Sequence, residues 1–223
     1  MTPAAVACYS IGSMGERMQA VVCRAYGAPD TLAVVETDAP GVAPGQVVVD
    51  VEAAAVNFTD LLMLQNRYQL SATPPFVPGS EFAGVVRAVG PGVDGLRPGT
   101  RVSGVTFVGA FAERVAVPAA SLTVLPDHVD LRAAAAFSVV YATAYHALRS
   151  AARLRAGETL VVLGAAGGVG LAAVELGAVL GARVIAAASS PEKLAACRAQ
   201  GAADGIDYSH EALKERLKAL TGG

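Results

Sequence analysis

The 223-residue chain contains only three cysteines, Cys8, Cys23 and Cys197, and no two of them form a C-x-x-C pair. An odd, widely spaced set excludes a disulfide framework and a thiolate metal cage, and predicts reduced thiols in a cytoplasmic protein. Charge is scarce too. Charged residues make up 16% of the chain and the net formal charge is −2, so there is no basic face for nucleic acid or for an acidic membrane surface. Hydrophobic residues reach 53% and the mean hydropathy is +0.48, yet no apolar run approaches the roughly 18 residues that span a bilayer. The excess is Ala and Val in short segments broken by Gly and Pro, which suits a buried parallel sheet. Residues 1–17 have neither a basic start nor a continuous apolar core. That excludes a secretory signal and predicts a disordered extension before a first strand opening at Met18.

What is present falls into two regions of different periodicity. Across residues 18–127 the runs "QVVVDVEAAAV", "GSEFAGVVRAVG", "TRVSGV", "AFAERVAVP" and "LTVLP" are short, Val-rich and bounded by Gly, Pro and Asp. They predict a mostly-β domain whose only helical period lies around residues 57–65. Asp60, just after Asn57, reads as the cap of that short helix. Residues 128–223 read differently. "LRAAAAFSVVYATAYHALRSAARL" predicts one long helical region. A strand at Thr159–Leu163, a helix opening at Gly168, the strand "ARVIAAA", a helix over residues 191–200 and the strand "DGIDY" follow. "SHEALKERLKALT" predicts a last helix, with Ser209 as N-cap and Glu211 in its first turn. The β-α-β-α-β-α order is half of a doubly wound sheet, an α/β class.

The stretch "LGAAGGVG", residues 163–170, lies between the Thr159–Leu163 strand and its helix, where a dinucleotide-binding fold turns. Gly167 is expected to permit the sharp turn and the approach of a pyrophosphate. Gly170 and Gly177 are expected to seat the helix on the sheet, and the amides of Gly168 and Val169 to point at the anion. Ala165 stands where the motif usually has its first glycine. A tight packing turn without ligand is the alternative. At the tip of the following strand, "AAASSPEKL", no Asp or Glu is placed to hold a ribose 2′-hydroxyl. Ser189, Ser190 and Lys193 beside a helix N-terminus instead fit a 2′-phosphate, which favours NADPH. Ser190 acting only as a cap, with Lys193 in solvent, is the plainer reading. Glu192 is expected to face away.

With both regions read, the chain resembles the zinc-independent quinone oxidoreductases of the medium-chain dehydrogenase/reductase superfamily. The resemblance covers residues 18–220 and is carried in order by "AAAVNFTDLLMLQNRY", "PPFVPGSEFAGVVRAVGPGV", "GAFAERVAVPAASLTVLPD", "YATAYHAL" and "GAAGGVGLAAVELG". It implies a GroES-like first domain followed by a Rossmann domain, and a small-molecule quinone or enone as substrate. Zinc-bearing relatives have Cys at the position of Asn57 and His at Ser80. Glu81 remains, and Val139 falls about where a further Cys would stand. One carboxylate cannot make a catalytic zinc site, which needs three protein ligands, and the four-cysteine lobe is absent, so no metal is expected. Without a Lewis acid the surviving chemistry is hydride delivery to an activated acceptor.

In the family Asn57 resembles the residue that orients nicotinamide and substrate. Tyr68 resembles one lining the quinone pocket, able to donate a proton to an enone, and Thr143 resembles a cofactor contact. Ser189, Lys193 and Tyr208 match holders of the 2′-phosphate. Asn57 fits equally a turn cap, Tyr68 a surface aromatic and Tyr208 an edge-strand filler. His128, His146 and His210 match no catalytic role. A doubly wound sheet has about six strands and three are counted, so about 100 residues are expected to be missing at about 30 per repeat. In relatives that stretch carries the nicotinamide half of the site and the dimer edge, so a homo-oligomer is expected of the complete protein. Two alternatives stay open: a 2-enoyl-thioester or enone reductase, and a truncated, non-catalytic nucleotide-binding or inert fragment.

Overall fold

The computed structural model describes residues 16–223. The expected disordered extension falls on residues 1–15, and with Cys8 lies outside the described residues. Glu16 and Arg17, assigned to that extension, belong instead to the folded chain. Arg17 opens strand β1 (Arg17–Val22), which pairs antiparallel with β2 (Ala33–Asp38). Its guanidinium meets Glu36 at 3.0 Å and Asp38 at 2.6 Å. Glu16 bridges Arg87 and Arg114. β2 has no counterpart in the sequence reading, because its alternating residues are only half-buried or exposed and give a weak apolar signal.

The chain packs into two compact units, the first ending at Val139 and the second covering Val140–Gly223. The first is built on a five-stranded antiparallel sheet. Its strands are β3 (Gln46–Ala55), β4 (Glu81–Val89), β5 (Arg101–Val105), β6 (Arg114–Pro118) and β7 (Leu122–Val124), in the order β6-β3-β4-β5-β7. Val47, Val49, Phe82, Val86, Val102 and Val117 form its core. β3 is irregular opposite β4, with register shifts between Val48 and Val49 and between Val51 and Ala53. At that point Gly84 lies so close to β3 that a Cβ there would stand 2.0 Å from the Asp50 carbonyl oxygen. Backbone cannot withdraw as a flexible side chain can. Gly84→Ala is therefore expected to lower the unfolding midpoint by about 5–20 °C, the scale of an overpacked core. Calorimetry on both proteins checks this; an unchanged midpoint would show that the bulge yields freely.

Helix α1 (Phe58–Leu64) follows β3. The long helix expected over residues 131–154 is not continuous. It is divided into α2 (Leu131–Ala135), α3 (Ser138–Tyr145) and a π-helical turn at His146–Ala151. Asp130 caps α2 through the Ala133 N–H. α3 restarts where the Glu81 carboxylate accepts the Val139 N–H at 2.8 Å. Local periodicity carries no trace of such a cap, because it arrives from a distant strand.

The second unit has three parallel strands, β8 (Thr159–Leu163), β9 (Arg183–Ala188) and β10 (Asp204–Asp207), in the order β10-β9-β8. Helices α4 (Gly168–Val179) and α5 (Pro191–Ala199) cover one face through Val174, Leu194 and Cys197. α6 (Leu213–Thr221) covers the other through Leu213 and Leu217. This is the expected class, a mostly-β unit followed by a doubly wound parallel α/β unit. α6 begins three residues later than a Ser209 cap implies, and its N-cap is Ala212. Asp207 organises residues 207–211 into a turn instead: its carboxylate accepts from the Ser209 N–H and contacts His210 Nδ1, both at 3.0 Å, and its own N–H donates to Glu211. No helix among the described residues is long and apolar enough to cross a membrane.

Candidate functional site

Parallel pairing brings the C-terminal ends of β8, β9 and β10 to one edge of the sheet, with Leu163 opposite Ala187 and Asp207 opposite Ala188. Crossover connections leave the ligand crevice of a doubly wound sheet at that edge. After β8 the chain turns at Gly164, whose φ of 63° is left-handed. The sharp turn was expected at Gly167, but Gly167 is extended (φ −78°) and serves as the N-cap of α4. In the sequence, only its place directly after the strand marks Gly164 for this turn. Gly167 supplies no side-chain cap, so the exposed first-turn amides of Gly168 and Val169 have no acceptor within the helix. They suit an anion.

The remaining glycines divide their work differently from expectation. A Cβ on Gly170 would fall 2.4 Å from the Gly164 carbonyl oxygen and 2.7 Å from that of Ala165. Gly170 therefore fits α4 against its own turn. Gly177 does seat α4 on the sheet, since a Cβ there would meet Leu160 at 2.6 Å and Val184 at 3.0 Å. Ala165, expected as a cofactor contact, is fully buried and its N–H donates to the Ala187 carbonyl. Its methyl belongs to the core.

At the β9 tip, Ser190 is the N-cap of α5 and accepts the Lys193 N–H at 3.4 Å. Lys193 Nζ donates to Ser189 Oγ at 2.7 Å. The Ser209 hydroxyl donates to the Ser189 carbonyl, and the Tyr208 N–H to that of Ala188. Tyr208, 45% exposed, thus follows β10 next to the end of β9, the strand that leads into Ser189 and Ser190. Glu192, exposed, is in the first turn of α5. The Ser190 hydroxyl and the residue's own N–H hold its carboxyl below the usual range, so an acid shares this corner. Thr143 lies exposed on α3.

In the first unit, Asn57 is the N-cap of α1 and forms a capping box with Asp60, whose carboxylate accepts the Asn57 N–H at 2.7 Å. Asp60, expected as the cap, is instead the third helical residue whose carboxylate completes the box, and the cap position itself is held by Asn57. Asp60 is 4% exposed, and burial pushes its carboxyl above the ordinary range against the pull of that N–H and of Ser80. The Ser80 hydroxyl oxygen, although close enough to act on Asp60, is buried without a hydrogen bond of ordinary geometry. The Asn57 side chain turns the other way, and Nδ2 donates to Glu81 Oε2 at 3.2 Å. Glu81 is 1% exposed and spends its second oxygen on Val139. The sequence marks Glu81 only as what remains of a zinc-ligand set; its pairing with Asn57 has no local signal. Tyr68 packs half-buried against Cys23, Met63, Leu64 and Phe76. The seven-residue α1, about 10 Å long, separates it in sequence from Asn57. Among the described residues no three His, Cys, Asp or Glu side chains are grouped to hold a metal ion.

Comparison with known proteins finds one family model in each unit. The family model described as "Alcohol dehydrogenase GroES-like domain" matches residues 43–127, and that described as "Zinc-binding dehydrogenase" matches residues 168–223. A curated relative, "Quinone oxidoreductase-like protein 2" of Rattus norvegicus, is 37% identical over 222 residues, covering 99% of this chain and 63% of the relative. The chain thus spans less than two thirds of that relative's length. Among solved structures, a probable oxidoreductase from Mycobacterium abscessus superposes with a TM-score of 0.87 at 40% identity, covering 93% of this chain and 67% of that one. The quinone oxidoreductase of Escherichia coli, complexed with NADPH, superposes with a TM-score of 0.88 at 31% identity, covering 92% and 63%. With both units matched in order along nearly all its length, the chain belongs to the quinone oxidoreductase family of the medium-chain dehydrogenase/reductase superfamily.

Proposed function

We propose that the protein is an NADPH-dependent oxidoreductase that reduces quinones or other activated alkenes and carbonyls without zinc, in the cytoplasm. The observation that carries this is the corner at the β9 tip, where Ser189, Ser190 and Lys193 stand at the N-terminus of α5 and the Tyr208 backbone is bonded to Ala188 beside them. A 2′-phosphate needs such donors and a 2′-hydroxyl does not. The E. coli relative binds NADPH, which supports the same cofactor here. Buried free thiols at Cys23 and Cys197 suit a reducing compartment.

The residues fit the cofactor in two places. The first-turn amides of Gly168 and Val169, with bare Gly167 before them, would hold the pyrophosphate. Lys193, Ser189, Ser190 and Tyr208 would hold the adenosine ribose and its phosphate. Thr143 is a further contact in this reading, whereas Ala165 acts only through its buried packing. When bound, NADPH supplies a hydride. The chain's own task is to orient the acceptor, through Asn57, and to line its pocket, through Tyr68, whose hydroxyl can return a proton to a reduced enone.

The test is a rate of NADPH oxidation against a panel of quinones, enones and enoyl thioesters, beside binding of NADPH and NADH. Preferential NADPH binding with turnover of quinones supports the proposal. Tighter binding of NADH, or oxidation of simple alcohols as the main activity, overturns it. Chelators are expected to leave the activity unchanged, because Asn57 and Ser80 hold two positions where zinc relatives have ligands and Glu81 is engaged by Asn57 and Val139. Stoichiometric zinc in chelator-washed protein, found by elemental analysis, would refute this.

A further inference from the structure

Resting on that reading of Asn57, we propose that Glu81 is the positioning residue of the site: it locks the Asn57 amide with its nitrogen inward, so that Asn57 offers a ligand an N–H and not a C=O. Glu81 opens β4 and is 1% exposed. Its two oxygens serve two donors, Oε1 the Val139 N–H at 2.8 Å and Oε2 the Asn57 Nδ2 at 3.2 Å. The first donor is backbone in the opening turn of α3 and cannot rotate, so it fixes the carboxylate. A carboxylate only accepts, so the Asn57 oxygen cannot face Oε2.

The Asp60 N–H is taken by the Asn57 backbone carbonyl at 3.0 Å, so the Glu81 bond alone sets the amide. A flipped amide would set oxygen against carboxylate at Glu81. An amide nitrogen carries two protons; one goes to Glu81 and one remains. As hydride reaches a conjugated carbonyl compound, negative charge gathers on its oxygen. An N–H held toward that oxygen stabilises the charge, whereas a C=O would oppose it.

Glutamine has the shape of glutamate but not its symmetry. In Glu81→Gln, the amide oxygen must serve the Val139 N–H, so its NH2 group meets Asn57 and forces the flip.

The experiment uses the chain's composition. It has only two asparagines, Asn57 and Asn66, so asparagine labelled with nitrogen-15 gives two side-chain amide groups, assigned with Asn57→Ala. In the parent, one Asn57 Nδ2 proton should lie at low field and resist solvent exchange. In Glu81→Gln that signature should be lost. NADPH-oxidation turnover should fall about tenfold or more, the NADPH dissociation constant should stay within about twofold, and Glu81→Gln should add nothing in the Asn57→Ala background. A parent spectrum without the protected proton overturns the proposal, and so does an Asn57 amide unmoved by Glu81→Gln. If Glu81→Gln fails to fold, Glu81→Asp, which keeps the charge but shortens the reach, should weaken the same resonance; an unmoved resonance overturns the proposal equally. If Asn57→Ala leaves turnover unchanged, the functional reading of Asn57 fails while the amide signature still decides the role of Glu81.

Discussion

Replacing Lys193 with alanine is expected to weaken NADPH binding about 10- to 100-fold and to leave NADH binding nearly unchanged. The two cofactors differ only in the 2′-phosphate, so a residue that touches that group alone should separate them. Lys193 stands in the first turn of α5, with Nζ at 2.7 Å from Ser189 Oγ. That bond aims the ammonium, still solvent-exposed, at the β9 tip. A charge-assisted hydrogen bond contributes about 1.5–3 kcal/mol, which is the stated range of affinity. Because Lys193 is exposed, the gap between parent and variant should shrink as salt rises. Glu192 pulls the other way. Its carboxylate, held below the usual range by the neighbouring Ser190 hydroxyl, adds negative charge where a phosphate would sit, and Glu192→Gln should tighten NADPH modestly. Titration of both cofactors by nucleotide fluorescence decides the matter. Equal losses of NADPH and NADH in Lys193→Ala would return Lys193 to the solvent.

Much of this corner was legible because its signals are local. Strand β8 is bounded as its apolar run suggests, and the N-cap and proline of α5 sit where "SSPEKL" places them. The β9 tip lacks an acid, and that absence can be read directly. What escaped reading was set by contacts between distant residues. Gly164 and Gly167 look alike in sequence, and only the path of the chain makes one left-handed and the other extended. The break between α2 and α3 depends on a carboxylate from β4. Ser209 has the chemistry of a cap, but Asp207 claims the segment first by bonding the backbone of its own turn. Arg17 and Glu16 join the fold through ion pairs with residues on other strands, which no window around residue 17 contains. Of the Asn57 site, the helix cap could be read from "NFTD", whereas the Glu81 bond could not.

Asn57→Ala is expected to lower turnover about 100-fold, the scale on which a misaligned near-attack geometry slows a reaction, with NADPH affinity changed by no more than about twofold. The substitution removes three things at once, and they must be told apart. It removes the N-cap side chain of α1, worth about 1 kcal/mol. It leaves buried Glu81 Oε2 without its Asn57 donor, at about 1–3 kcal/mol. It also takes away the amide that orients the acceptor. The first two are losses of stability; they lower the folded fraction but not the rate of each folded molecule. Turnover should therefore be expressed per folded protein, measured well below the unfolding midpoint. Asn57→Ser separates the terms further. Serine is as good an N-cap as asparagine but too short to span from the cap to Glu81, so it should recover part of the lost stability and none of the lost turnover. Rates that recover together with stability would make Asn57 a helix cap and nothing more. A rate that stays low in both variants, with NADPH binding intact, would place its effect in the reaction itself.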